Sequence, residues 1–310
     1  MKSDVTFASG GLSCAGWLYV PDGLEDGERR PAIVMAHGFS AVKEMHLANF
    51  AEKFEEAGLV VLVFDYRYFG DSEGEPRVRL FPTEQHEDYR NAITWVSRRP
   101  EVDPDRIGVW GSSYSGGHVL HLAAFDKRIK AVVAQVPLAD GWENAQRLMR
   151  PDIFAGFHDM LAEDRLRRYE GEGSTHIPVV APEGEPSALP TPESYEWFTE
   201  TGRSIAPNWR NEVSLESMEK FLEYNPAANI HRISPTPLLM IVAGNDTLTP
   251  TDLAVAAYDR ALEPKSLVIT RGAHFDAYTE PGLSETAIPA VQWFERHLLG
   301  RQFVEVETSR

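Results

Sequence analysis

The chain has 310 residues, 43% of them hydrophobic and 25% charged, which suffices for one sizeable core and leaves length for an insertion. Thirty basic residues against 47 acidic ones give a net charge of −17, which argues against nucleic acid or an anionic membrane surface as a partner. A single cysteine, Cys14, rules out an internal disulfide framework and a cysteine-based zinc site.

No apolar run approaches the ~20 residues that span a bilayer. The start, Met1 to Phe7, lacks the apolar stretch of a signal peptide, so a cytoplasmic protein is expected. Cys14 is expected to be a buried, unreactive thiol. Homo-oligomerisation is left open.

In chain order, residues 5–20 alternate weakly around Gly10-Gly11 and predict an antiparallel hairpin. Pro31 to Gly38 reads as a buried strand. Leu47, Phe50, Ala51 and Phe54 then recur at helical spacing and stop at Gly58. Leu59 to Asp65 is a second apolar strand, and Tyr89, Ile93 and Val96 mark a helix that ends before Pro100. Arg106 to Trp110 is a strand, Gly117 to Phe125 a helix, and Ile129 to Val136 a strand. The pattern resumes with a strand at Pro237–Ala243 and a helix from Thr251 to Leu262. A strand at Ser266–Thr270 and a helix at Glu285–Leu299 complete it. Apolar strands alternating with amphipathic helices predict an α/β fold with a mostly parallel sheet covered on both faces.

The rhythm breaks between about Asp140 and Ser234. That stretch carries Pro178, Pro182, Pro186, Pro190 and Pro192 and the large side chains Trp142, Phe154, Phe157, Tyr195, Trp197, Phe198 and Trp209. It is too long for a plain loop. The expected organisation is a core of residues 1–139 and 235–310 with an inserted cap (lid) at 140–234. The cap aromatics are expected to form a small core, with a few facing a ligand pocket.

Trp110-Gly111-Ser112-Ser113-Tyr114-Ser115-Gly116-Gly117 lies between a predicted strand and a predicted helix, the setting of a nucleophile elbow. The sharp turn needs small residues two before the nucleophile and about two after it. Ser113 follows the strand and has Gly111 before it; Ser115 stands where glycine is usual. Ser112 is preceded at that spacing by Trp110, and Ser115 falls a turn into the helix. A serine hydroxyl needs a base within hydrogen-bond reach. His274, between the last strand and the last helix, is placed for that role; His118 and His121 fall within the helix after the elbow and read as packing residues. Asp246 ends the preceding strand, 28 residues before His274, and reads as the acid that orients the imidazole. Asp252 and Asp140 are the alternatives. The expected oxyanion donors are the backbone N–H groups of Tyr114 and Phe39, with His37 orienting the loop.

These segments resemble the α/β-hydrolase superfamily. The matching pieces are His37-Gly38-Phe39, Asp65 to Ser72, Gly111 to Gly117, Gly244-Asn245-Asp246 and Gly272-Ala273-His274. His37 to Glu44 and the elbow ending Gly116-Gly117-His118 are similar to the fungal polyketide transferase group and its bacterial hydrolase relatives. Glycine three residues after the serine is similar to cocaine esterase and X-Pro dipeptidyl peptidase. The resemblance implies an α/β-hydrolase fold and acyl transfer through an acyl-serine, to water or to another acceptor.

The expected function is therefore a serine hydrolase of carboxylic esters, thioesters or activated amides, with Ser113, His274 and Asp246 as triad and no metal or organic cofactor. The aromatic cap suggests a small-molecule acyl substrate that is apolar or aromatic. Transfer to a non-water acceptor is the first alternative, and a non-catalytic binding protein on the same fold the second. Haloalkane or epoxide chemistry wants an aspartate at the elbow.

Overall fold

The computed structural model describes residues 1–301. β1 (Lys2–Ser9) and β2 (Leu12–Tyr19) pair antiparallel from Lys2↔Tyr19 to Ser9↔Leu12, the hairpin that Gly10-Gly11 predicts. β3 (Arg30–Ala36), β4 (Val60–Phe64), β5 (Val102–Ser112) and β6 (Ile129–Gln135) follow. Between them lie α1 (Leu47–Glu56), α2 (Pro82–Val96) and α3 (Tyr114–Phe125). β9 (Leu238–Ala243), α8 (Thr251–Arg260), β10 (Lys265–Thr270) and α9 (Gly282–Leu298) close the described chain, with the short β7 (His176–Ile177) and β8 (Val213–Ser214) falling in the segment between β6 and β9.

The eight-stranded sheet runs β1-β2-β4-β3-β5-β6-β9-β10. β2 is antiparallel to β1 and to β4, and the remaining neighbours are parallel. Alternate residues of the central strands feed two hydrophobic layers. Val34, Leu62 and Phe64 pack with α2, α3 and α8. Ile33, Met35, Val61 and Val63 pack with α1 and α9. Strands buried on both faces read as continuous apolar runs, which is why they are visible in the sequence.

Several elements exceed their predicted bounds, β5 and α3 among them. β5 begins at Val102, paired with Arg30, and a register irregularity then carries it past Pro104 to Ala32↔Ile107. α3 starts at Tyr114 rather than Gly117, because Ser113 caps it directly at the end of β5.

Between β6 and β9 the chain forms α4 (Gly141–Leu148), α5 (Pro151–Tyr169), β7 (His176–Ile177), α6 (Pro192–Ser204), β8 (Val213–Ser214) and α7 (Leu215–Leu222). β7 and β8 make a separate two-stranded ribbon. The segment's two ends meet: Gly141 N–H donates to Tyr224 O (2.8 Å) and Asn225 Nδ2–H to Asp140 Oδ2 (2.5 Å). The expected core range of 235–310 runs past the described residues at 302–310. No helix among the described residues is long and apolar enough to cross a membrane.

Candidate active site

Ser113 sits between β5 and α3 with φ 60° and ψ −120°. A non-glycine residue with φ in this range carries strain, of order 1–3 kcal/mol, and keeps it only where the surroundings fix it. Here they do. Ser113 N–H donates to Gln135 O (2.9 Å), and its own carbonyl accepts from the N–H groups of Gly117 (3.1 Å) and Leu138 (3.0 Å). Gly111 is required by close approach, since a Cβ there would fall 2.2 Å from Ser115 O. On the far side of the turn the tight position is Gly116, whose Cβ would lie 2.8 Å from Gln135 O. Ser115 therefore does not distort the elbow.

The three serines of the elbow have separate partners. Ser115 Oγ is buried against the hydroxyls of Tyr66 (3.1 Å) and Tyr89 (3.0 Å). Ser112 Oγ pairs with Tyr278 OH (2.7 Å). Ser113 Oγ–H donates to His274 Nε2 (3.0 Å). His274 Nδ1–H donates in turn to Asp246 Oδ2 (2.7 Å), both side chains being almost wholly buried.

Asp246 is itself held. Its Oδ1 accepts from the N–H groups of Leu248 (2.9 Å) and Thr249 (2.8 Å), and its Oδ2 lies 2.9 Å from Thr249 Oγ1. That hydroxyl also approaches Val136 O (3.0 Å) and His274 Nδ1 (3.2 Å), tying the acid loop to the end of β6. Thr249 was not singled out from the sequence, where a hydroxyl three residues beyond the acid was the available signal. Asp140 and Asp252 go elsewhere: Asp140 caps α4 through the N–H groups of Trp142 and Glu143, and Asp252 pairs with Arg147 at the surface.

The loop after β3 faces the elbow. The Phe39 and Tyr114 rings meet edge to face at 5.6 Å. Neither residue's backbone N–H has a hydrogen-bond acceptor among the described residues, which leaves two donors free near Ser113. His37 is buried, with Nδ1 3.0 Å from Gly38 O and Nε2 3.8 Å from Asp65 Oδ1. Burial pushes its pKa below the usual value, against the pull of Asp65, so it stays neutral.

Beneath the loop, Lys43 N–H donates to Asp65 Oδ1 (2.7 Å), while its ammonium contacts Asp65 (2.8 Å), Asp71 (2.5 Å) and Glu44 (2.7 Å). Burial alone would lower that ammonium's pKa, but the carboxylates, Asp65 foremost, outweigh it and hold the pKa above its ordinary value. Glu44, Asp65 and Asp71 have the spacing of a metal cluster, but they already surround a cation of the chain itself.

A second buried group lies behind Tyr114. His86 Nε2–H donates to Tyr224 OH (2.8 Å), Tyr224 O–H to His118 Nδ1 (2.8 Å), and His118 Nε2–H to Gln85 Oε1 (2.8 Å). His121 stacks on His86 at 4.1 Å. Neutral tautomers satisfy each of these three hydrogen bonds. Burial drives both the His86 and the His118 pKa well below the ordinary value.

Ser113 and His274 open onto a pocket of about 780 Å³, counted out to its mouth. The sheet core contributes Met45, Leu138 and Phe275 to its walls, and the segment between β6 and β9 contributes Leu148, Leu189 and Phe221. Of the aromatics expected in that segment, Trp197 and Phe198 line the pocket, and Trp197 stacks on Phe275 at 4.7 Å. Trp142 is instead part-exposed at the surface and packs with Phe154.

Comparison with known proteins agrees with this architecture. The model of the family described as X-Pro dipeptidyl-peptidase (S15 family) matches residues 14–276. The quorum-quenching protein AidA of Acinetobacter baumannii is 32% identical, over 94% of each chain. The thiohydrolase aneE of Aspergillus aculeatus is 36% identical, over 86% of this chain and 83% of its own. The polyketide transferase grgF of Penicillium sp. is 33% identical, over 89% of this chain and 90% of its own. The crystal structure of the α/β-hydrolase GrgF from Penicillium sp. sh18 superposes with a TM-score of 0.82 at 29% identity, covering 96% of this chain and 99% of that one. The chain belongs to the X-Pro dipeptidyl-peptidase (S15) family and is a hydrolase of the α/β-hydrolase fold.

Proposed function

We propose that the chain is a serine hydrolase of carboxylic esters or thioesters, working through an acyl-Ser113 intermediate. The observation that carries this reading is the unbroken hydrogen-bonded series Ser113 Oγ, His274, Asp246, with the serine on a strained elbow. Ser113 Oγ forms a bond to the acyl carbon while His274 Nε2 takes the hydroxyl proton, and Asp246 stabilises the imidazolium. The carbonyl oxygen becomes an oxyanion that accepts from the N–H groups of Phe39 and Tyr114. As it re-forms the carbonyl, the bond to the leaving alkoxide or thiolate breaks and His274 returns the proton to that group. Water, deprotonated by the same histidine, then attacks the acyl carbon and frees Ser113.

The segment 140–234 is the cap in this reading, closing an apolar pocket over the acyl group. Among the described residues no aspartate or glutamate lines that pocket. A dipeptidyl substrate brings a free α-ammonium, which is costly to bury without a carboxylate. An uncharged acyl group therefore suits the pocket better than the peptide in the family's name.

Transfer of the acyl group to an alcohol or thiol is the second reading, favoured by the similarity to a polyketide transferase. A new ester or thioester formed with an added alcohol or thiol would distinguish it from hydrolysis. The primary test is labelling with a fluorophosphonate and turnover of a short aryl ester, in wild type and Ser113→Ala. An adduct on the Ser113 peptide, with turnover reduced by about 10⁴-fold or more in the variant, is expected. An unlabelled Ser113 and an active variant would sink the mechanism.

A further inference from the structure

Most polar side-chain atoms of the pocket wall already have a partner inside the protein, and those without one are, Asn144 apart, sealed from the pocket. Ser113 and His274 pair with each other, Tyr278 OH with Ser112 Oγ, and Thr249 Oγ1 with Asp246 and Val136 O. His37 Nδ1 is held by Gly38 O.

Asn144 differs. It lies on α4, is only 3% exposed, and lines the pocket beside Ala145, Leu148 and Leu248. Its Nδ2–H donates to Leu248 O (3.1 Å). Because Leu248 O is an acceptor only, the amide orientation is fixed: nitrogen to Leu248, oxygen away from it. Asn144 Oδ1 then has no donor among the described residues. It is also absent from the sealed, partnerless atoms, which in this wall are His37 Nε2, Tyr114 OH and Trp197 Nε1. Among the described residues the wall thus presents one open side-chain carbonyl acceptor, locked in place, within apolar surroundings.

Resting on the serine-hydrolase reading above, we propose that Asn144 is a specificity-determining residue. Its Oδ1 accepts a hydrogen bond from a hydroxyl carried on an otherwise apolar acyl chain. The substrate class is therefore a hydroxyacyl ester or thioester rather than a plain fatty acyl one. An acceptor built into a desolvated wall discriminates strongly, because a substrate without the donor leaves the carbonyl buried and unpaired. The hydroxyl belongs on the acyl chain because the residues flanking Asn144 on the wall are apolar and would seat its methylenes.

The test measures kcat/KM for N-acetylcysteamine thioesters of octanoic acid and of its 3-, 5- and 7-hydroxy derivatives, each also as the methyl ether. Wild type is expected to prefer one hydroxyoctanoyl thioester over octanoyl by about 10- to 100-fold. Methylating that hydroxyl removes the donor and is expected to abolish the preference without any change to the protein. In Asn144→Leu the hydroxyl-to-plain ratio is expected to fall to about 1. Because the ratio is taken within one enzyme, general damage from losing the Leu248 contact cancels. Equal rates for all three hydroxy isomers and octanoate, a preference that survives methylation, or one that survives Asn144→Leu would each overturn the assignment. Failure of every thioester together with an unlabelled Ser113 would instead remove the hydrolase reading, and this inference with it.

Discussion

The sheet core and the segment between β6 and β9 are built differently, and the difference maps onto two tasks. In β3, β4 and the end of β5 the side chains are almost wholly buried, and the strands hold one another in register. In α5, nineteen residues long, only Phe157, Leu161 and Asp164 are buried, while Ile153, Leu166 and Tyr169 face outward. The core holds Ser113, His274 and Asp246 in hydrogen-bonded reach of one another beyond its strand ends. The segment shapes the pocket with individual side chains such as Leu189, Trp197 and Phe221. Chemistry should thus be sensitive to core substitutions, and substrate preference to substitutions in the segment.

The hardest test of that division is Asp246→Asn. The substitution keeps the shape but presents the wrong hydrogen-bond pattern to His274 Nδ1, so kcat is expected to fall by roughly 10⁴-fold. A loss below about tenfold in steady-state kinetics would mean that another group orients the imidazole.

Next in size is a pH effect on the core. His86 and His118 are neutral when folded, with pKa values well below the ordinary one, whereas the unfolded chain binds a proton on each near pH 6.5. Unfolding therefore takes up protons as the pH falls below 6.5. Stability from these two groups is full above that pH and declines beneath it as the pH falls. Urea unfolding at pH 7.5 and 5.5 checks this, and His86→Gln is expected to flatten the slope by about one proton. An unchanged slope would mean that His86 is already charged or solvated in the folded state.

Within the segment, Trp197→Ala removes pocket wall and the stack on Phe275 but no reacting group. An increase in KM of about tenfold, with kcat within about threefold, is the expected result. The reverse pattern would show that the segment also positions His274 through Phe275. The smallest effect concerns Tyr114 OH, which is buried without a partner. Tyr114→Phe removes an unpaired hydroxyl and is expected to stabilise the protein by about 1 kcal/mol, a rise of about 2 °C in thermal midpoint. A destabilised variant would point to a bound water or ligand on that hydroxyl.

Much of the core is legible in the sequence because strands buried on both faces must be apolar throughout, and the helices between them must carry an apolar stripe. Leu47, Phe50, Ala51 and Phe54, picked out by spacing alone, are the buried residues of α1. Ser113, Asp246 and His274 stand out because each follows the C-terminal end of a parallel strand, so chain order foreshadows their meeting. Asp140 and Asp252 had comparable local settings, and the sequence could not remove them. Only the fold, by turning one into the α4 cap and pairing the other with Arg147, separates them from Asp246.

What the sequence by itself determined is the set of elements, their alternation and the strand ends near which Ser113, Asp246 and His274 stand, because these follow from hydrophobic period and turn chemistry local to each stretch. What only the tertiary structure decided lies between distant segments. It placed the acceptor of Asn144 in the pocket wall, fixed by a carbonyl 104 residues away. It closed the His86–Tyr224–His118 network and set Trp197 on Phe275. A side chain's partners across space depend on how helices pack over the sheet, and no local pattern in the chain encodes that packing.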